Sequence, residues 1–316
     1  MLQKIASSIF HRSPPASSIV SQERRQRLFD VADKVLSDQS PNAIDTWQQF
    51  LAQVSSRIKS EDLNRFLVWP EIKASMFVSN QRFVRSELYT LKSLPDWKDR
   101  WFPATRETNF GSPRVFVKDP GSSGNLIHHS YLVSRIENVL GQKVTNFDSV
   151  FEFGGGYGNM AKLFGQLGFK GDYFIYDFEL FSAIQNWYLT SLGYRVENSI
   201  LLNDEDADHV IHCLSGDLDS EGLGAQLKSS NCLFLATWSL SETSIEYRSA
   251  FEKFISTFDS VAIAYQEQIE VIDNVQYFND LSKKLTEFDW TIEPLVFQPK
   301  NALILGKRKN TVDSVC

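Results

Sequence analysis

From Ser21 to about Leu94 the apolar positions recur with a helical period. Leu28, Val31, Ala32 and Val35 fall at i, i+3, i+4 and i+7, and Trp47, Phe50, Leu51 and Val54 repeat the spacing. Two further segments, SEDLNRFLVWPEIKASMFV and RFVRSELYTLKSL, predict shorter helices. The first should be interrupted at Pro70, which lacks a backbone N–H and clashes with the preceding turn. Residues 95–124 break the period: Pro95, Pro103, Pro113, Pro120 and several glycines predict a long irregular connection, a kind of segment that often carries function. The pattern returns to helix in NLIHHSYLVSRIENVLG.

From Asn146 short apolar runs alternate with amphipathic stretches, the rhythm of parallel βα units. Strands are expected at 149–153, 172–176, 209–213, 232–238, 261–266, 290–294 and 302–306, seven in all. Helices are expected at 159–167, 180–192, 245–258 and 275–288. The last two strands leave no room for a helix between them and should close the sheet as an antiparallel pair. The pattern divides the chain into a flexible arm (1–20), a helical region with its connection (21–145), a sheet domain (146–308) and a flexible tail (309–316).

Composition narrows the class. With 316 residues, 42% hydrophobic, the chain can bury a large core. A net charge of -7 leaves no basic surplus for a phosphate backbone, so nucleic acid is not the expected partner. Cys213, Cys232 and Cys316 lack metal-ligand spacing, which suits free thiols in a reducing, cytoplasmic compartment. The N-terminal apolar stretch is too short and interrupted for a signal peptide, and no run approaches a membrane span. The acidic run Asn203–Asp208 reads as a solvated loop, and no metal site is expected.

The chemistry concentrates in FEFGGGYGNM. Four of the chain's 16 glycines, Gly154, Gly155, Gly156 and Gly158, stand within five positions, directly after a predicted strand ending in Glu152-Phe153. A phosphate loop would need Gly-Lys-Ser/Thr, which is missing, and a dinucleotide fingerprint would need glycine where Asn159 stands. What fits is acidic-x-G-x-G-x-G: a strand delivers the chain to the carboxyl edge of the sheet, glycines admit a ligand against backbone, and the next helix offers free N–H groups. Asp177 ends the next strand 25 positions after Glu152, close to the offset expected of an acidic partner on the adjacent strand. It also stands where it can cap the helix from Leu180.

This pattern resembles the first motif of class I S-adenosylmethionine-dependent methyltransferases. Together with DLNRFLVWPEIKASMF, YFIYDFELFSAIQNWYL and TWSLSET, it resembles the bacterial putative sugar O-methyltransferase family. The resemblance implies a Rossmann-like α/β fold with a seven-stranded, mostly parallel sheet, an antiparallel last strand and a helical N-terminal extension. It implies S-adenosyl-L-methionine as cofactor, with Glu152 and the glycines at its methionine half and Asp177 on the ribose hydroxyls. Phe178 would stack on the adenine, and Ser215 and Asp217, after the third strand, would lie near its amino group.

The implied reaction is methyl transfer to a sugar hydroxyl of a glycan or glycosylated metabolite. A small-molecule O-, N- or C-methyltransferase and a non-catalytic partner module of the same fold are the alternatives. A sugar hydroxyl is a weak acid and needs a base. His129 or His128 is the first choice and Glu242 the second; Trp238 and Tyr265, at strand ends, are candidates to line the acceptor site. The connection from Pro95 to Asn125 should cover the cofactor, and the helical N-terminal region offers a surface for homo-oligomer formation.

Overall fold

The computed structural model describes residues 18–37, 45–198, 209–218, 223–224, 227 and 231–309. The acidic run 203–208, Cys316, most of the predicted arm and most of the predicted tail lie outside these residues.

The helical lead-in forms as its periodicity requires. Helices α1 (Ser18–Ser37) and α2 (Asp45–Ser60) bury Leu28, Val31, Ala32 and Val54, so α1 begins inside the expected arm. The interruption at Pro70 is a clean restart. A 3-10 turn (Leu63–Val68), capped by the Asp62 carboxylate, ends at Trp69, and α3 (Pro70–Ser75) takes Pro70 in its first turn, where a missing N–H costs nothing. Helix α4 (Arg82–Ser93) follows. The connection holds a π-helical turn (Trp97–Trp101) and a small antiparallel hairpin pairing Val115–Phe116 with Asp119–Ser123. Helix α5 (Gly124–Leu140) opens with the Ser123 hydroxyl accepting from the Leu126 N–H at 3.0 Å and stops at Gly141, φ 69°.

Among the described residues, eight strands make one sheet. In chain order they are β1 (Ser149–Phe153), β2 (Asp172–Tyr176), β3 (Arg195–Glu197), β4 (Val210–Leu214), β5 (Cys232–Thr237), β6 (Ser260–Gln266), β7 (Phe288–Pro294) and β8 (Asn301–Arg308). Their spatial order is β7-β8-β6-β5-β1-β2-β4-β3, parallel except that β8 runs antiparallel to both neighbours. One expectation is met and one is corrected: the sheet has eight strands, not seven. The last two strands close the sheet as the expected antiparallel pair, with β7 at the edge and β8 between it and β6, and that pairing runs to Lys307 and Arg308 at the end of the sheet domain. The eighth strand, β3, is three residues at the edge, too short to show alternation.

Side chains alternate across the sheet and define two cores. Val150, Tyr173, Ile175, Leu233 and Leu235 face the lead-in helices, α5, α6 (Asn159–Gln166) and α7 (Glu179–Ser191). Phe151, Phe153, Phe234 and Ile263 face α8 (Ile245–Ile255) and α9 (Asn274–Lys284). Burying each such side chain contributes about 1.5–3 kcal/mol. The lead-in shares the first core and reaches the carboxyl end of β1, where Phe66 and Phe77 pack on Tyr157 and Met76 lies beside Gly156. No helix among the described residues is long and apolar enough to cross a membrane.

Candidate functional site

The loop after β1 turns sharply over the sheet edge. Gly154 takes φ 71°, and a Cβ there would come within 2.3 Å of the Ser239 side chain. A Cβ on Gly155 would meet the Ile175 side chain at 2.5 Å. Glycine is needed at both positions, for backbone angle and for space. Gly158 donates to the Gly155 carbonyl at 2.9 Å and heads α6. The Met76 thioether lies over the loop, with its sulfur 3.5 Å from where a Gly156 Cβ would stand.

Two carboxylates address this loop. Glu152 is 1% exposed beneath Gly155 and accepts from the Tyr173 hydroxyl at 3.0 Å; burial pushes its carboxyl up to about 8. Asp177 Oδ2 accepts from the Gly156 N–H and from Gln185 Nε2, both at 3.0 Å, while Oδ1 accepts from the Phe178 N–H at 2.8 Å. Burial outweighs these bonds and raises Asp177 to about 7. Asp177 is therefore turned toward the glycine loop. The cap position of α7 belongs to Phe178, with no side-chain cap, so the capping alternative does not hold.

The two histidines have different surroundings. His129 Nδ1 accepts from Asn159 Nδ2 at 2.9 Å, and burial, then the charges of His128 and Lys162, lower the ring to about 3. Asn159 itself is buried, and its Oδ1 has no hydrogen-bond partner among the described residues. His128, on the same helix, places Nδ1 2.9 Å from Glu87 Oε1 on α4. Its ring lies 5.2 Å from that of Trp238, at the end of β5. Trp238 has φ 66°, a backbone that costs a bulky residue about 1–3 kcal/mol, and it donates from Nε1 to Asn301 Oδ1 at 2.7 Å.

Beyond Trp238 a 3-10 turn (Ser239–Glu242) carries the Ser239 hydroxyl onto the Phe153 carbonyl. Buried Arg248 fixes this turn, donating to the carbonyls of Ser241 and Thr243 and to Asn274 Oδ1. Glu242 sits at its end, near Gln266 Nε2, with its carboxyl raised by burial.

Other sequence candidates fall elsewhere. Tyr265 is corrected: it packs 4.4 Å from Phe278 in the opposite core, on the face of the sheet away from His128 and Trp238. The parity of β6 decides this, since Tyr265 shares a face with Val261 and Ile263. Phe178 is exposed and leans on Trp47, and Asp217 is exposed in a turn after β4.

Sequence reasoning missed how the lead-in grips the loop. Tyr157 inserts among Phe66, Phe77 and Tyr188, and its hydroxyl accepts from Asn125 Nδ2 at 2.7 Å. Asn125 in turn accepts from the Val78 N–H at 3.1 Å. Lys162 on α6 pairs with Glu107 of the connection at 2.6 Å, both nearly fully buried, and Ser123 also donates to Glu107. The aromatic residue inside the glycine run was the available signal.

No family model and no curated protein matches the chain. Solved structures with a similar arrangement include PigF with SAH, 12% identical over 92% of this chain and 97% of that one, TM-score 0.39. The mitomycin 7-O-methyltransferase MmcR is also 12% identical, over 92% and 96%, TM-score 0.35. The methyltransferase domain of bacterial CtHen1 is 9% identical over 57% and 97%, TM-score 0.37. At these values the likeness carries no argument about what this chain binds or does.

Proposed function

We propose that the chain binds S-adenosylmethionine at the loop Glu152–Gly158 and transfers its methyl group to a sugar hydroxyl of a glycan or glycosylated metabolite. The observation that carries this reading is a glycine-built loop flanked by two carboxylates, Glu152 and Asp177, both raised by burial. Such groups gain most from a ligand bringing positive charge and hydroxyl donors. S-adenosylmethionine has an ammonium, a sulfonium and two ribose hydroxyls; the paired phosphates of NAD would meet two acids instead. Glu152 and the unpartnered Asn159 Oδ1 suit the charged end, and Asp177 the ribose. The bound cofactor supplies a methyl group already activated by its sulfonium.

What remains for the protein is to hold the acceptor and take its proton. His128 does the latter. With Nδ1 held by Glu87, its Nε2 is the nitrogen left for the acceptor, and the adjacent buried carboxylate stabilises the imidazolium that forms. Trp238 forms the wall beside it. His129 keeps Asn159 in place and stays neutral.

Calorimetric titration with S-adenosylhomocysteine and with NAD tests the cofactor, and transfer of labelled methyl to glycans against phenols tests the acceptor. Binding of NAD without S-adenosylhomocysteine refutes the first; transfer to phenols alone refutes the second.

A further inference from the structure

The outer side of α4 is unlike the rest of this acidic chain. Between Arg82 and Asp119 stand eight cationic and five acidic side chains; Glu87 and Glu107 face inward on His128 and Lys162, Arg106 pairs with Asp119 and Arg100 with Glu137, which leaves Arg82, Arg85, Lys92, Lys98, Arg114 and Lys118 against Asp96 and Asp99. The cations lie among exposed apolar groups. Arg85 sits over the Tyr89 ring at 5.5 Å, and Arg106 over the Phe102 ring at 4.3 Å. Tyr89 is 59% exposed, and Val117, at the hairpin tip, is 72% exposed.

These groups adjoin one another: Lys92 lies 6.0 Å over the Trp97 ring, which packs 5.9 Å from Phe102. Asn80, just before α4, accepts from the Val117 N–H at 2.8 Å and donates to the Val115 carbonyl, holding the tip against the helix. The Tyr89 hydroxyl is lowered by its hydrogen bond from Arg85 and by that residue's charge, then by Lys118 and Lys92, so hairpin and helix cations converge on it.

We propose that this face, formed by Arg85, Tyr89, Lys92, Phe102, Val117 and Lys118, docks the protein on an anionic lipid bilayer. Cations set among shallow apolar groups match a layer of phosphate headgroups over acyl chains. Cations already cover faces of the Tyr89 and Phe102 rings, which makes them poor platforms for stacking on sugars. The chain as a whole carries a net charge of -7, so a negative membrane attracts the molecule through this cationic face and orients it accordingly. The opposite side of α4 carries Glu87 on His128. Docking therefore sets the candidate site about one helix diameter, ~10 Å, from the membrane plane, within reach of a lipid-anchored acceptor. Only that last step rests on the methyl-transfer reading.

The test is co-sedimentation of the full chain, without cofactor, with vesicles of phosphatidylcholine alone and of phosphatidylcholine mixed equally with phosphatidylglycerol. The chain should pellet with the mixed vesicles only and be released by salt. Arg85→Glu/Lys92→Glu/Lys118→Glu should weaken pelleting by roughly 100-fold, and Val117→Asp should weaken it less, with thermal melts unchanged in both. Failure to pellet, equal pelleting on neutral vesicles, or indifference to the charge reversals overturns the proposal. Binding to soluble polygalacturonate without pelleting overturns it in favour of an acidic-glycan surface. Methyl transfer to a soluble acceptor is unaffected by any of these outcomes.

Discussion

Nδ1 of His128 lies 2.9 Å from Oε1 of Glu87, a residue 41 positions earlier in the chain, and both side chains are at most 2% exposed. Glu87 Oε2 has no hydrogen-bond partner among the described residues. A buried acid spends one oxygen on an imidazole that also packs against Trp238. His128→Ala should lower kcat about 100-fold or more, the usual worth of a general base, with S-adenosylhomocysteine affinity retained. Glu87→Gln, which keeps the shape, should fall between. Full activity in a folded His128→Ala variant would pass the role to Glu242.

Asp177 tests the cofactor site separately. Asp177→Ala should weaken S-adenosylhomocysteine binding by about 1–3 kcal/mol, the cost of losing hydrogen bonds to a charged group. The same variant also releases the Gly156 N–H and Gln185. Asp177→Asn, which keeps an acceptor oxygen, should recover part of the loss. An unchanged dissociation constant in both variants argues that the ribose lies elsewhere.

Acidity of the ligand-free protein supplies a further prediction. Glu152 at about 8 and Asp177 at about 7 both stand above the carboxylate values of an unfolded chain. Below the unfolded values both states hold these protons and burial carries no ionic penalty. As pH rises from about 4.5 to 8 the unfolded chain releases protons that the folded chain retains, so this contribution to stability is lost. Thermal midpoints should fall across that window, and Glu152→Gln should flatten the decline. A slope identical in wild type and variant would remove Glu152 as its source.

The buried pair Lys162–Glu107 should behave asymmetrically. Lys162→Ala strands a carboxylate that is 5% exposed and should cost about 3–5 kcal/mol in urea unfolding. Lys162→Met/Glu107→Leu, which removes both charges, should return most of that loss. A double variant as unstable as the single one would show that hydrogen bonds such as Ser123 to Glu107 dominate.

Elements with strong period were legible in the sequence. The helical spacing of Leu28, Val31 and Ala32, the β1 run and the offset from Glu152 to Asp177 all follow from local pattern, and the structure places them accordingly. Position within the sheet was less legible. The insertion of β8 is a matter of long-range pairing, invisible to any local window, and β3 is too short to carry a period. Tyr265 shows the same limit at the site: a residue at a strand end faces either layer according to parity, and its neighbours Val261 and Ile263 fix the far side. Glu87, Asn125 and Arg248 were missed because a polar residue within a helical pattern reads as solvent-facing until its partner from a distant segment is known.

The seating of Tyr157 bears on the order in which the molecule is made. Phe66 closes on Tyr157, Trp187 and Tyr188, each contributed by chain that leaves the ribosome long after Phe66 does. The first third of the protein therefore emerges with only part of this aromatic face covered, by partners such as Trp69, and the rest waits for later chain. Nascent chain halted before β1 should be a chaperone client, and the loop that gives the sheet its chemistry is also the plug that completes the cap.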